Sequence, residues 1–301
     1  MSVYYLDGTT LSDSTSVFTN ASMDTCAPDG FYSDGVISRE LVNCVLLPEQ
    51  VCDTCATPCG GVIAGSGGQG IYLLDLDAGG TATDIGAVVI KFNPQSIPDG
   101  VRATYNGTVY NELSSPVDGY HASTTANNFT YIGNTSGDCG ISGTTYPSLT
   151  EFNYVGGAFV ATGNTQSVTV NAGDVSMGSS SPGNCIMVIP KTTQNPTVIN
   201  FEFVGPCSST AWSIDISCPA ALPSFTSSLD APAGNEACGL PSTETYFFAS
   251  HTSAATPMLY DWVFQDSSGQ SVLTNGFYQD GTGNGWIEVA NGIVIAQGNC
   301  L

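Results

Sequence analysis

The two ends of the chain carry the same short motif. Residues 30–35 read Gly-Phe-Tyr-Ser-Asp-Gly, and residues 276–281 read Gly-Phe-Tyr-Gln-Asp-Gly. In both copies a later asparagine is followed nine residues on by a cysteine: Asn43 by Cys52, and Asn291 by Cys300. A small module placed at each end of a larger insert is typical of a structural building block rather than of an enzyme.

The likeness extends to the residues around the motif. Each copy opens on aromatic residues and continues into an apolar stretch: residues 4–6 and 45–47 in the first, residues 246–248 and 293–295 in the second. The second copy has Gly292 where the first has Cys44, and its opening lacks the Asp7-Gly8 pair. Duplication explains the two ends better than chance. Only the first copy runs on into a cysteine cluster, so we expect the N-terminal end to be the more rigidly stapled.

Charge excludes several classes of partner. The chain has 26 Asp and Glu residues against 4 Lys and Arg residues, for a formal net charge of -22. Phosphate backbones and anionic membrane surfaces repel such a chain, so we expect no nucleic-acid partner and no membrane insertion. Multivalent cations remain candidate partners. With 10% of residues charged, the surface must consist largely of Ser, Thr, Asn, Gln and Gly, which suits packing against other subunits.

Strand signals dominate the chain. Short β-branched or aromatic runs are bounded by Gly, Pro, Asn or Asp: residues 71–74, 85–92, 158–161, 167–170 and 198–203. Residues 166–171 alternate polar and apolar side chains, as a half-buried strand does. No convincing amphipathic helix is present. The sequence predicts an all-β fold, with a central antiparallel β-sandwich of immunoglobulin-like or jelly-roll type and a small β module on either side.

Composition suggests the domain boundaries. The predicted units are a small N-terminal β module at 1–52, a Cys- and Gly-rich linker at 53–70, the central β-sandwich at 71–222, a Pro-rich linker at 223–240, and a small C-terminal β module at 241–301. A module of about 50 residues buries too little surface to be very stable alone. Each terminal module is therefore expected to lean on the central domain, on a neighbouring subunit or on a disulfide.

Eleven cysteines favour an oxidising environment. All are disulfide candidates: Cys26, Cys44, Cys52, Cys55, Cys59, Cys139, Cys185, Cys207, Cys218, Cys238 and Cys300. Plausible pairs are Cys139–Cys185, Cys207–Cys218 and Cys238–Cys300, although connectivity does not follow from one sequence. The odd total leaves a cysteine unpaired or joined to another chain. Zinc and free thiols remain alternatives for the cluster Cys52, Cys55 and Cys59, which contains a CxxC pair. No second CxxC follows, however, and both histidines lie far away in the sequence.

The first residues carry no recognisable export signal. Residues 1–25 have no basic region followed by an apolar one, and no stretch of the chain has the length of a membrane span. Synthesis without a signal peptide, combined with cysteines suited to an oxidising environment, is typical of a virion component that finishes outside the cell. A signal peptide that has already been removed is the alternative.

The sequence suggests two kinds of ligand site. Asp75, Asp77 and Asp280 lie in acidic turns and could offer oxygens to calcium, but none has the full spacing of a calcium loop, and Asp-Gly is also ordinary turn chemistry. No other cofactor is expected. Tyr105, Tyr110 and Tyr120 lie in a loop-rich part of the central domain. Exposed tyrosines beside Asn and Asp could contact a host-surface glycan, and ordinary strand filler is the plainer interpretation.

Catalysis is not predicted. The chain has no G-x-S-x-G nucleophile elbow around a serine, and the glycine-rich residues 65–70 precede a strand and lack the lysine of a phosphate-binding loop. With 26 acidic residues, some carboxylate pair is always at hand, so a glycosidase is not supported by counting. A secreted hydrolase therefore ranks behind the structural roles.

The terminal module resembles a small repeat of tailed-bacteriophage virion structural proteins and of Bacteroidetes surface proteins. The resemblance rests on residues 4–8, residues 27–35, Arg39 and Cys44, and on the related stretch 276–300. Residues 210–219, which end Trp-x5-Cys-Pro, are similar to β-sandwich domains found beside that repeat. The resemblance implies no catalytic residue.

The sequence thus predicts a non-enzymatic, extracellular structural subunit. The resemblance implies a tailed-phage virion protein of the tail, collar, fibre or capsid decoration, and the expected partners are copies of itself and other virion proteins. The alternative is a carbohydrate-binding adhesin or receptor-binding protein for host attachment.

Overall fold

A computed structural model describes residues 3–33, 37–48, 50–51, 56–66, 68–95, 97–114, 122–123, 129–132, 144–170, 183–208 and 210–300. The fold is all-β, as the sequence predicts, and the one helix described has four residues. No described helix has the length and apolar character needed to cross a membrane.

The N-terminal module is built from short strands around a small core. Its strands are β1 Tyr5–Leu6, β2 Val17–Phe18, β3 Gly30–Ser33, β4 Ile37–Val42, β5 Val45–Leu46 and β6 Gln50–Val51. β1 pairs with β2, while β3, β4 and β5 form an antiparallel meander in which β6 also pairs with β4. The buried side chains are Leu11, Val17, Ala27, Leu41 and Leu46. A core this small makes the module dependent on its disulfide and its hydrogen bonds.

The central domain has two packed sheets. Its strands are β7 Thr57–Pro58, β8 Gly61–Ser66, β9 Gly70–Asp77, β10 Gly86–Asn93, β11 Asp99–Tyr105, β12 Thr108–Tyr110, β13 Ala122–Ser123, β14 Thr130–Ile132, β15 Thr144–Val155, β16 Ala158–Val170, β17 Cys185–Lys191, β18 Val198–Gly205 and β19 Ala211–Ile216. One sheet has the order β17-β10-β19-β8, and the other runs β13-β14-β11-β18-β9-β15-β16. The ladders β9–β15 and β7–β9 are parallel, so the second sheet is mixed.

Trp212 lies in the core between these sheets. Its ring stacks on Phe203 with centroids 4.2 Å apart and meets Tyr72 edge-on at 5.5 Å. Gly65 lies against the same ring, where a Cβ would come within 2.4 Å of the indole. The tryptophan of the Trp-x5-Cys-Pro sequence is therefore a packing residue, and a glycine on β8 is needed beside it.

The C-terminal unit forms one six-stranded sheet. Its elements are β20 Ser224–Ser227, α1 Gly234–Ala237, β21 Glu244–Ala249, β22 Trp262–Phe264, β23 Gly276–Gln279, β24 Gly285–Ala290 and β25 Ile293–Asn299. The strand order is β20-β21-β22-β25-β24-β23. Just after β20, Ala231 forms a bridge with Phe277 of β23, which closes the sheet on itself.

Two segments expected to be linkers contain strands, which corrects the predicted boundaries. Within 53–70, Gly61–Ser66 is β8, an edge strand paired with β19 along its length. Within 223–240, Ser224–Ser227 is β20, paired with β21. Glycine and proline suggested linkers. Gly65 instead leaves room for the Trp212 ring, and Pro223 and Pro232 flank β20 without interrupting it.

Candidate assembly surface

The two copies of the terminal motif fold alike. In each, the Gly-Phe-Tyr strand pairs with a second strand that turns tightly into a third: β3-β4-β5 and β23-β24-β25. The turn residues Asn43 and Cys44 have φ of 50° and 67°, and Asn291 and Gly292 have 51° and 77°. Two successive left-handed residues between antiparallel strands give the primed turn that suits a hairpin.

The tyrosine of the motif makes the same bonds in both copies. The Tyr32 hydroxyl donates to the Pro28 carbonyl at 2.6 Å, and the Tyr278 hydroxyl donates to the Thr274 carbonyl at 3.0 Å. Each ring also meets an aromatic neighbour edge-on: Tyr4 with Tyr32 at 5.2 Å, and Tyr246 with Tyr278 at 5.6 Å. The repetition seen in the sequence is therefore a repetition of three-dimensional structure.

One disulfide distinguishes the copies. Cys26 is joined to Cys44 in the first module. In the first module Phe18 forms a β-bridge with Cys26, and in the second Phe264 forms one with Val272. Val272 therefore holds the position of Cys26. In the second module Val272 lies over Gly292, where a Cβ would come within 2.6 Å of the valine Cβ. The second copy thus replaces the disulfide by a valine packed on a glycine.

The second copy is docked on the central domain. One cluster of buried or half-buried side chains joins them: Ala87, Val89, Ile186, Val188 and Leu222 of the centre with Phe247, Ala249, Trp262, Phe264 and Ile293 of the C-terminal unit. The buried Trp262 Nε1 also donates to the Ile186 carbonyl at 3.0 Å. Hydrophobic burial and this hydrogen bond hold the two units in one arrangement.

The first copy has no such neighbour among the described residues. Every hydrogen bond, ring contact and disulfide described for residues 3–51 has both ends within that range. The positions that correspond to Phe247, Phe264 and Ile293 are Tyr5, Phe18 and Val45. Val45 is 56% exposed, and the two rings are half-buried. We call Tyr5, Phe18 and Val45 the docking face of the first module.

Other apolar side chains of this module are also exposed. They are Val3, Tyr4, Met23, Phe31 and Leu47, and Phe31 is 69% exposed. Where such side chains form a continuous patch, that patch usually marks a protein contact.

The arginines serve as internal ties. The Arg39 guanidinium donates to main-chain carbonyls of its own module: Leu11, Ser12, Ser14, Leu46 and Leu47. Arg102 forms an ion pair with Glu202 and lies 4.3 Å from the Phe129 ring centroid. Arg39 is therefore committed to the carbonyls of its own module, and Arg102 compensates a single carboxylate.

The lysines are engaged in the same way. Lys191 is buried, and its Nζ donates to three carbonyls at 2.8–3.1 Å: Asp84, Thr193 and Gln194. Burial lowers the pKa of this ammonium. Lys91 Nζ donates to the Thr252 carbonyl at 3.3 Å, across the central and C-terminal units. The negative charge is thus left largely uncompensated at the surface.

The calcium candidates do not converge. Asp75 Oδ1 accepts a bond from Asn200 Nδ2 at 2.7 Å, and Asp77 Oδ1 accepts one from the Gly79 amide at 2.9 Å. Asp280 Oδ1 accepts the Thr282 amide at 2.8 Å, an ordinary turn. Within the described residues, no three His, Cys, Asp or Glu side chains are grouped to hold a metal.

The three tyrosines predicted as glycan contacts differ in their surroundings. Tyr105 is buried and its hydroxyl donates to the Pro196 carbonyl at 3.1 Å, so its assignment as a glycan contact is wrong. It faces inward because it ends the strand β11, whose alternate residues form the core. Tyr110 lines a cleft of about 220 Å³ between the central and C-terminal units. Tyr120 lies outside the described residues.

The disulfides differ in part from the sequence expectation. Cys238 is joined to Cys300, a pair the sequence suggested, and Cys59 is joined to Cys218. The suggested pair Cys207–Cys218 is therefore wrong, although Cys207 is itself disulfide-bonded. Cys185 is buried in the core, with its Sγ 3.7 Å from the Gly183 carbonyl. Cys52, Cys55 and Cys139 lie outside the described residues.

One buried carboxyl makes stability depend on pH. Asp99 is fully buried, and its Oδ1 accepts a bond from Thr210 Oγ1 at 2.7 Å. Burial raises the pKa of Asp99 well above its usual value. A raised folded pKa gives stability that is complete below the unfolded pKa and is lost as pH rises toward the folded one.

We therefore expect Asp99→Asn to change the pH profile. The free energy of unfolding of the variant should improve relative to the parent chain as pH rises from 4 to 8, because asparagine has no proton to lose. Urea titrations at several pH values measure this. A difference that stays constant over that range would contradict the assignment.

Comparison with protein-family models, with curated proteins and with solved structures finds no match for this chain.

Proposed function

We propose that this protein is a non-enzymatic structural subunit of an extracellular assembly, in which the N-terminal module makes the contacts between subunits. The observation that carries the proposal is the asymmetry of the two related modules. The second buries Phe264 and its neighbours against the central domain. The first leaves the corresponding docking face, Tyr5, Phe18 and Val45, without a described contact to the central domain. The apolar face is covered by the central domain in the second copy and is uncovered in the first copy. An uncovered face of this kind suits attachment to another subunit.

The hydrogen bonds of His251 and Asp261 support a role without catalysis. His251 Nδ1 lies 2.7 Å from Asp261 Oδ1, which resembles part of a catalytic set. Asp261 also accepts the amides of His251 at 3.0 Å and Met258 at 2.9 Å, and its side chain is buried. The pair therefore ties the loop before β22. His121 lies outside the described residues.

The extracellular placement is supported by the disulfides, which are typical of proteins that mature in an oxidising environment. The resemblance of the terminal motif supports a tailed-phage virion as the proposed assembly, with the protein in the tail, collar, fibre or capsid decoration. A surface rich in neutral polar groups and carboxylates suits particles exposed to varying salt.

We expect self-association to strengthen with ionic strength. At a net charge of -22, copies repel one another, and salt screens that repulsion over about 10 Å at 0.1 M. Sedimentation velocity at 10 mM and 150 mM salt measures the shift toward larger species. Association that weakens as salt rises would indicate contacts dominated by ion pairs instead.

The docking face is tested by two matched substitutions. Val45→Asp places a carboxylate on that face, whereas Val160→Asp alters a valine of similar exposure on the central domain, 54% against 56%. Val45→Asp should weaken self-association at least tenfold, which corresponds to about 1.4 kcal/mol. Val160→Asp should leave it unchanged. Equal effects, or none from Val45→Asp, would remove the docking face from the proposal.

A second candidate function is glycan binding at the cleft beside Tyr110. This half-buried ring shares the cleft with Asn111, Glu112 and Gln270, a mixture of aromatic and hydrogen-bonding groups suited to a sugar. A glycan array on the full chain and on Tyr110→Ala tests this role. Binding that depends on Tyr110 would add host attachment, and no binding by the parent chain would exclude this cleft.

A further inference from the structure

The second module contains a strand that the first does not match. β20 pairs with β21, and the register runs from Ser224 opposite Phe247 to Ser227 opposite Glu244. The chain then crosses to β23, where the Ala231 amide donates to the Phe277 carbonyl at 2.9 Å and the Phe277 amide donates to the Ala231 carbonyl at 3.1 Å. This segment, residues 224–231, fills the gap between β21 and β23, and we call it the closing strand.

Hydroxyl groups strengthen this closure. Ser227 Oγ donates to the main-chain carbonyl of Gln279 at 2.7 Å, and the main-chain amide of Gln279 donates to Ser228 Oγ at 3.3 Å. Ser227 and Ser228 are both fully buried. The closing strand is therefore an integral part of the second module.

The side chain of Phe225 completes the core of that module. Its ring lies 6.1 Å from Tyr246 and 5.9 Å, edge-on, from Phe248. The strands β21 and β1 correspond, so Tyr4 and Leu6 of the first module occupy the positions of Tyr246 and Phe248. Tyr4 is exposed and Leu6 is half-buried, whereas Phe248 is fully buried.

The first module has the same gap with nothing described in it. β1 pairs with β2 alone, and β3 is an edge strand whose described neighbour is β4. Tyr278, which the closing strand helps to cover, is 1% exposed, but Tyr32 at the same position is half-buried. All the other strands of the second module have a counterpart in the first.

The open edge of β3 presents its hydrogen-bonding groups outward. Phe277 is opposite Glu288 in β24, and it uses its amide and carbonyl for Ala231 on the other side. Phe31 is opposite Glu40 in the same register. Because pairs alternate along an antiparallel ladder, the Phe31 amide and carbonyl point away from β4, toward the gap.

We propose that the N-terminal module accepts an extended strand from another subunit, which inserts between β1 and β3 and pairs with Phe31. The incoming strand carries an aromatic residue for the space above Tyr4 and Leu6, then two hydroxyl residues and a small residue opposite Phe31, the pattern of residues 225–231. This is strand addition to an open sheet edge. The inference rests on the proposed role in assembly and specifies how one subunit holds the next.

The strand must come from outside the molecule's own second module. Residues 224–231 are already engaged there, by pairing with β21 and β23 and by burial of Phe225. Withdrawing them would expose the core of that module. The same segment is engaged in the same way in every copy of this chain, so the incoming strand belongs to a neighbouring subunit of a different sequence that carries the pattern of residues 225–231.

The test uses the full chain, dilute and in low salt, with a synthetic peptide of residues 222–232 as the probe strand. Amide hydrogen exchange is read residue by residue. We expect the peptide to slow exchange of the Phe31 amide at least tenfold. A peptide with Phe225→Asp should give no protection, and neither should one with the Ala231 amide methylated, since each lacks one element of recognition.

Several outcomes would overturn the inference. They are unchanged exchange at Phe31 with saturating peptide, a Phe31 amide already protected in the monomer, and protection confined to Phe277. Sedimentation of the same samples separates this inference from the proposed function. A chain that self-associates without peptide protection keeps the assembly role and loses strand acceptance. A chain that binds the peptide but stays monomeric at high concentration and salt loses the assembly role.

Discussion

Replacing Phe264 with alanine is expected to destabilise the C-terminal unit by about 3–5 kcal/mol, the usual cost of truncating a buried aromatic side chain. Phe264 is 2% exposed and stacks on Trp262, with ring centroids 6.1 Å apart, at the contact with the central domain. The loss combines lost burial with a cavity that the two packed sheets cannot fill. Urea unfolding followed by tryptophan fluorescence measures it, because Trp262 and Trp286 both lie in this unit.

Phe18→Ala is the matched control, since Phe18 holds the corresponding position in the first module. Its ring is only half-buried, and no hydrogen bond, ring contact or disulfide described for residues 3–51 reaches the central domain. We expect the fluorescence-detected transition to stay where it is, and self-association to weaken. A shift below about 1 kcal/mol for Phe264→Ala, or an equal shift for both variants, would contradict the docked and undocked arrangement.

Removing the Cys26–Cys44 disulfide is expected to unfold the first module while the rest of the chain stays folded. The two cysteines are 18 residues apart, and closing a loop of this length contributes about 3 kcal/mol. The module has only a small core, so that loss exceeds what it can tolerate. In Cys26→Ser/Cys44→Ser, amides of residues 3–51 should exchange freely, with β9 and β10 still protected.

The second module supplies the control for this experiment. Cys26→Val/Cys44→Gly copies the valine that lies on a glycine at positions 272 and 292. We expect this variant to retain more protection in residues 3–51 than the double serine variant, because a packed valine replaces the lost link. If the two variants exchange at the same rate, the modules do not share a packing solution at this site.

Much of the fold follows from the sequence because its signals are local. The shared Gly-Phe-Tyr motif and the matching spacing from asparagine to cysteine predicted the related modules, and short β-branched runs predicted the strands. The closing strand was missed because Pro223 and Pro232 suggest a linker, although both lie outside the pairing of Ser224–Ser227. The pair Cys59–Cys218 spans 159 residues, and no local pattern encodes such a contact.

The candidate surface was harder to predict, because exposure depends on what covers a residue. Tyr105 looked like a surface aromatic and is core. A usable signal was present in the differences between the two copies. Trp262 stands where the first copy has Ser16, and Ala249 where it has Asp7. The apolar member of each pair is the one buried against the central domain.

The most direct test of the account is the mass distribution of the full chain beside that of a chain lacking residues 1–51, at physiological ionic strength. Sedimentation velocity gives the masses, and tryptophan fluorescence establishes that the shortened chain remains folded, since all three tryptophans lie beyond residue 51. We predict oligomers of the full chain and a folded monomer after the deletion. A shortened chain that assembles as the full chain does would show that the N-terminal module is not the assembly element.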